Sequence, residues 1–249
     1  DTGEATVDKA ALTFTNANWN SPQTVTVTGI DDAVTDGNQA TTITVAVVDG
    51  SSDDTYDPVA DSTVSVTTSD DDTAAFTLSG TAVTVSEAGS TATFTVVLGA
   101  QPASDVVLSV VSADTGEATV APATLTFTSG NWNAAQTVTA TGVDDNATDG
   151  NQTTAVTVAV VDASSDNAFD ALADQTVTVT TSDDDSPGVS VTESDGSTGT
   201  TEGGGTDTFT VVLNTQPSSD VEINTSSGDT GEVTVAPTAL TFTTSDWDT

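Results

Sequence analysis

Apolar and polar residues alternate along most of this chain. The stretches "TATFTVVL" (91–98), "TLTFT" (124–128), "QTVTVTG" (23–29) and "TTITVAVV" (41–48) place Val, Ile and Phe on one side of an extended backbone and Thr on the other. A period of two is that of a half-buried β-strand, and the β-branch of Thr suits the outward face. No stretch carries the 3.6-residue period of an amphipathic helix. Between residues 73 and 185 the pattern predicts eight strands, at 81–86, 91–98, 105–111, 117–120, 123–128, 136–142, 153–161 and 175–182, with Gly89, Pro102, Gly116, Gly130 and Gly150 in the turns. Many short strands without helices predict an antiparallel β-sandwich.

The pattern then repeats. "DTGEATV" stands at 1–7 and 114–120, and "DTGEVTV" at 229–235. Residues 1–72 align with 114–185 without a gap, and 73–113 with 186–228 after a two-residue insertion, so the period is 113 and then 115. That is too long for a solenoid coil and matches one sandwich domain per repeat. The expected organisation is tandem immunoglobulin-like sandwiches out of phase with the chain: 1–72 the back part of one, 73–185 a complete one, 186–249 the front part of another. "TAAFTLSG" (73–80) and "SPGVSVTESDG" (186–196) read as linkers into a first strand. Half-sandwiches leave a core face wet and strand edges open. Each end is therefore expected to be completed head-to-tail, by a neighbouring repeat of a longer chain or by strand addition from another copy. The fourth and fifth strands occur at both ends (1–21 and 229–249), which favours the longer chain.

Composition narrows the chemistry. There are 38 Asp plus Glu against a single basic residue, Lys9, for a net charge of −37. The 35 % of hydrophobic residues are ordered by the alternation, which argues against disorder. Nucleic acid and anionic membrane surfaces both require Lys and Arg and are excluded as simple electrostatic partners. No apolar run approaches 18 residues, so no membrane insertion by a helix is expected. Without His or Cys, a metal could be held only by oxygen ligands, and catalysis could use only a carboxylate pair. The carboxylates fall at strand ends and turns, so an enzyme is not expected.

"VTVSEAGSTATFTVVL" (83–98), "ATLTFTSGNWNAAQTVTATGVDD" (123–145) and "TVTVTTSDDD" (176–185) together resemble the Calx-beta domain family, of sodium–calcium exchangers and large bacterial surface proteins. The resemblance spans the chain in permuted phase. It implies a seven- to eight-stranded immunoglobulin-like sandwich with Ca²⁺ at one tip, near the junction with the next domain. Carried over by position, the implied ligands in 73–185 are Glu87, Asp114, Asp144, Asp145, Asp149, Asp183, Asp184 and Asp185. In the first repeat they are Asp1, Asp31, Asp32, Asp36, Asp70, Asp71 and Asp72, and in the third Glu202 and Asp229. The family's strongest binders have additional Glu residues after the paired Asp. "DDNATDGNQ" (144–152) offers only Asp149 there, so fewer or weaker sites are expected.

Elementary electrostatics points to the same tip. Asp144–Asp145 and Asp183–Asp185 end strands running in one direction and are expected to meet. Two carboxylates 4 Å apart repel by about 1 kcal/mol in water and about 4 kcal/mol at an effective dielectric of 20. Ca²⁺ relieves such a cluster with 6–8 oxygen ligands, at affinities of about 10⁻⁴–10⁻³ M in extracellular modules. The competing reading is a solvated acidic surface that keeps the protein soluble, and it is preferred for "SSDDTYD" (51–57) and "SSDNAFD" (164–170), expected at the opposite tip. Trp19, Trp132 and Trp247 recur at one repeat position and read as packing anchors. Asn146, Asn151 and Asn224 match the N-glycosylation pattern. The sequence thus suggests a structural segment of an extracellular filament or adhesin stalk, its junctions stiffened by Ca²⁺. The alternative is a Ca²⁺-dependent ligand- or carbohydrate-binding module at the cell surface.

Overall fold

The computed structural model describes all 249 residues. The chain is all-β, with seventeen strands and three single 3₁₀ turns. The first unit contributes β1 (Ala5–Val7), β2 (Val27–Gly29), β3 (Gln39–Val45) and β4 (Ser62–Thr68). The middle unit follows with β5 (Phe76–Leu78), β6 (Ala82–Ser86), β7 (Thr91–Leu98), β8 (Val106–Ser112), β9 (Ala118–Ala121), β10 (Thr124–Phe127), β11 (Gln136–Gly142), β12 (Gln152–Val160) and β13 (Gln175–Ser182). The last unit has β14 (Val189–Glu193), β15 (Phe209–Leu213), β16 (Val221–Asn224) and β17 (Ala239–Phe242).

The middle unit is a two-sheet sandwich, with strand orders β10-β8-β12-β13-β6 and β5-β7-β11-β9. Its eight expected strands match β6–β13 to within one residue at either end. Alternation does the work: along β7, β8, β12 and β13 every second side chain is buried. The inward faces meet in one cluster that includes Phe94, Phe127, Phe169, Leu108, Val138 and Val177, with Trp132 packed against it. Two expectations need correction. "TAAFTLSG" is not only linker: Phe76–Leu78 within it is an edge strand paired with β7, and Phe76 is buried. The sandwich is also not antiparallel throughout, because β6 pairs with β13 in parallel.

The two ends are built differently. Residues 1–72 form two separate two-stranded sheets, β1-β2 and β3-β4, and residues 186–249 form two more, β14-β15 and β16-β17. Neither end has a closed core. The whole chain exposes 15015 Å², whereas a compact globule of the same mass exposes about 10,000 Å². This surplus is that of units in series with open faces.

Candidate metal centre

Because β6 and β13 run in parallel, both end at the same tip. Their ladder runs to Ser86–Ser182, and the Glu87 N–H continues it by donating to the Ser182 carbonyl at 3.1 Å. β11 reaches this tip through Gly142, which passes so close to β6 that a Cβ there would collide with the Ser86 carbonyl oxygen. Asp144 and Asp145 follow after Val143. The Asp183 carboxylate braces the tip, Oδ2 accepting from the Gly150 N–H at 2.7 Å and Oδ1 from the Asp185 N–H at 2.8 Å. Gly150 has φ +78°, a left-handed conformation that favours glycine. Asp145 Oδ1 accepts from the Ala147 N–H at 2.6 Å.

These braces gather two trios. Carboxylate oxygens of Glu87, Asp183 and Asp185 lie within 4.8 Å of one another, as do those of Glu117, Asp145 and Asp149. Glu87 is 1 % exposed. Its Oε2 has no hydrogen-bond partner, nor does the buried Oδ2 of Asp185. Burial pushes the Glu87 carboxyl up to about 7, and the charges of Asp145, Asp183 and Asp149 push the same way while the Asp184 backbone N–H opposes them. Burial also raises Glu117, helped by Asp149, Asp114 and Asp145, and Asp185, helped by Asp183, Asp184 and Asp144. A buried carboxylate surrounded by like charge, with an oxygen free, is unfavourable unless protonated or met by a cation. The chain's one basic side chain, Lys9, instead sits 3.8 Å from Asp8. An all-oxygen donor set fits Ca²⁺.

Of the eight residues carried over for this unit, five fall in the trios: Glu87, Asp145, Asp149, Asp183 and Asp185. Asp114 does not. Its Oδ1 accepts from the Gly116 N–H at 2.8 Å, and Asp1 and Asp229 make the same turn with Gly3 and Gly231 at 2.9 Å each. Asp144 and Asp184 also lie outside the trios, although both act on Asp185. Glu117 was missed by sequence reasoning. It sits in the repeated "DTGE" segment, and its recurrence as Glu4 and Glu232 was the available signal.

In the first unit Asp31, Asp32, Asp36, Asp70, Asp71 and Asp72 line one cleft of about 30 Å³ with Glu4. The bracing is reproduced: Asp70 accepts from the N–H groups of Gly37 at 2.7 Å and Asp72 at 2.8 Å, and Asp32 from that of Val34 at 2.8 Å. Residues 1–72 nevertheless hold no counterpart of Glu87, and no carboxylate trio forms there. In the last unit Glu202 is exposed. Asn146, Asn151 and Asn224 are exposed, and Asn151 Oδ1 accepts from the Asp183 N–H at 3.3 Å. In "SSDNAFD", Asp166 is buried and accepts from the N–H groups of Ser104 at 2.8 Å and Ala168 at 3.0 Å, a structural cap away from both trios.

The acidic loops also make the junctions between units. After Asp31–Asp32, Val34 forms a parallel bridge with Gln101 of the middle unit. Gln101 donates to the Ala33 carbonyl at 2.7 Å, and Thr35 donates to the Gln101 carbonyl at 3.0 Å. One repeat later, Ala147 bridges Gln216 in parallel, Gln216 donates to the Asn146 carbonyl at 2.7 Å, and Thr148 Oγ1 donates to Thr215 Oγ1 at 3.2 Å. Asp145 therefore both belongs to a trio and shapes the loop that meets the next unit.

No family model matches the chain, and no curated protein matches it. Among solved structures it is similar to domains 4 and 5 of the S-layer protein SbsC, at 18 % identity and TM-score 0.34, covering 72 % of this chain and 97 % of that one. It is similar to SbsC domains 1–6 at 16 % identity and TM-score 0.35, covering 96 % of this chain and 40 % of that one. A third similarity is to SSP-19, an MSP-domain protein of Caenorhabditis elegans, at 24 % identity and TM-score 0.30, covering 43 % and 96 %. All three lie below 25 % identity and a TM-score of 0.5, and the all-β architecture stands on the chain's own strand pairing.

Proposed function

We propose that this chain is a structural repeat segment of an extracellular surface filament or stalk, and that Ca²⁺ at the sandwich tips stiffens its junctions. The observation that carries this reading is the recurrence of one junction geometry. The loop following a paired Asp docks by a parallel bridge onto the next unit's "QP" loop, at Val34–Gln101 and again at Ala147–Gln216. A repeated docking geometry sets the direction from one unit to the next, and units so joined span distance. The Glu87–Asp183–Asp185 and Glu117–Asp145–Asp149 trios would hold the ion. It would offset the repulsion among these groups and fix the loop that Asp145 shapes. Nothing in the fold suggests that the chain crosses a membrane as a helix, since no helix is long and apolar enough.

Two measurements test this. Millimolar Ca²⁺ should raise Tm by several degrees, reversibly with EDTA, and lengthen the particle in small-angle scattering by suppressing bending. An unchanged Tm removes the ion from the proposal. A compact scattering profile removes the rod.

A further inference from the structure

We infer that the outer face of the middle unit's five-stranded sheet is a lateral contact surface for a second copy of this chain. The inference goes beyond the end-to-end arrangement proposed above and does not use the ion. It starts from where charge is absent. None of the nine strands β5–β13 contains an Asp, Glu, Lys or Arg, and every carboxylate of residues 73–185 lies outside them. Strands of this chain do carry charge elsewhere, as Glu193 in β14 and Glu222 in β16. The edge strands of the five-stranded sheet, β6 and β10, also lack the Lys or Pro with which natural edges discourage contact with another chain.

Two rows of outward side chains cross the centre of this face. Val111 stands opposite Thr157, and Thr157 opposite Thr176. Ala155 stands opposite Thr178, and Thr178 opposite Ala82. Their chain neighbours Val110, Val156 and Val177 are buried, so these six point away from the core. All but Thr157 are exposed, so neither flanking unit covers them. Val111, 57 % exposed, is the only large apolar side chain of residues 73–185 left on the surface. The opposite sheet differs. Its central rows pair Thr93 with Thr139 and Thr95 with Thr137, hydroxyl against hydroxyl, with no large apolar side chain exposed.

Charge selects the partner. At a net −37, the chain would draw a basic partner to its acidic tips and loops, not to an uncharged face. A second copy presents the same uncharged face, and a two-fold contact through it sets no carboxylate cluster against another. Packed sheets lie about 10 Å apart, so two stacked sandwiches have centres about 20 Å apart. That is more than twice the Debye length of about 8 Å at physiological salt, so repulsion between the tips is screened and the face decides. Five strands about 4.8 Å apart make the sheet about 24 Å wide, and nine residues of β12 make it up to about 30 Å long. Contact would remove on the order of 1,000 Å² from the two copies together, the low end of specific interfaces. The dimer is therefore weak and concentration-dependent.

Sedimentation equilibrium of the full chain in EDTA tests this. The unmodified chain should dimerise at high protein concentration, and more strongly as salt rises. Thr178→Glu sets like charges into the contact and should weaken dimerisation by about tenfold or more. Val111→Thr keeps shape and β-branching and should weaken it by a few-fold. Thr93→Glu adds the same charge to the opposite sheet and should leave it nearly unchanged. A monomeric mass at every concentration would overturn the inference and leave the face to a different partner. Equal weakening by Thr178→Glu and Thr93→Glu would overturn it as well, because net charge alone would then govern association. So would a Val111→Thr chain that dimerises like the unmodified one. Without Ca²⁺ in the cell, none of these outcomes bears on the ion or on the rod.

Discussion

Residues 1–72 and 114–185 share one alignment without a gap, yet the same side chains have opposite fates. Phe127 and Val158 are fully buried, whereas their counterparts Phe14 and Val45 are 52 % and 53 % exposed. Trp132 packs on the core, and Trp19 is 70 % exposed. Local sequence fixes the strand and which face is apolar. It does not fix burial, which needs the strands that precede the repeated segment in the middle unit, β5, β6, β7 and β8, and residues 1–72 do not contain them. The tip repeats this lesson. The Asp70 and Asp183 braces are alike, but only the middle unit has the β6 end that brings Glu87 between Asp183 and Asp185.

The comparison is broken most directly by one substitution made twice. Phe127→Ala should cost about 3–5 kcal/mol, as large aromatic truncations in a closed core do. Phe14→Ala should stay within about 0.5 kcal/mol, as for an exposed residue. Urea unfolding at low protein concentration reads both. A large cost for Phe14→Ala would mean that the first unit is closed in solution.

Period-two alternation was enough to read β6–β13, because each is a half-buried strand with one apolar face. β5 was not legible: three residues, Phe76–Leu78, give no period, and only pairing with β7 makes them a strand. The parallel direction of β6 against β13 was also hidden, since alternation reports faces and not neighbours. At the tip, the carboxylates at strand ends were legible from the Asp runs. Asp114 misled because Asp-x-Gly closes its own turn through Gly116, and Glu117 was overlooked because it lies at the start of a strand rather than in an acidic run.

A second pair of substitutions sharpens the role of β6. A methyl at Gly142 collides with the Ser86 carbonyl, whereas at Gly29 the nearest atom is Thr68 Cγ2 at 3.5 Å. Gly142→Ala should destabilise by about 1–3 kcal/mol, in the range of overpacking, and should weaken any Ca²⁺ response by moving Asp145 away from Glu117 and Asp149. Gly29→Ala should do neither.

The proposed ion should separate the two tips with an effect of similar or smaller size. At tenfold excess over Kd, binding to the folded state adds about 1.4 kcal/mol. Glu87→Gln should raise Tm in EDTA, because it removes a buried charge, and should lose most of the Ca²⁺ increment. Asp70→Asn, in the unit without a trio, should leave that increment in place. If Asp70→Asn and Glu87→Gln remove it equally, the trio is not what binds.

The smallest expected change is in the pH dependence of the ion-free protein, and its sign is informative. Glu87 is raised from an ordinary 4.5 to about 7 in the folded chain. Between those values the folded state holds a proton that the unfolded state has released, so stability falls as pH rises through this window and levels off above about 7. The upward shifts of Glu117, Asp185 and Asp72 act in the same direction. In EDTA, Tm should therefore be higher near pH 5 than near pH 8, the reverse of a protein whose carboxylates are paired with cations. Saturating Ca²⁺ should flatten or invert the slope, since the ion competes with the proton for the same oxygens. Glu87→Gln should remove most of the slope. A Tm that rises from pH 5 to pH 8 in EDTA would mean that the tip carboxylates are stabilised as charges without an ion, and the case for a cation there would fail with it.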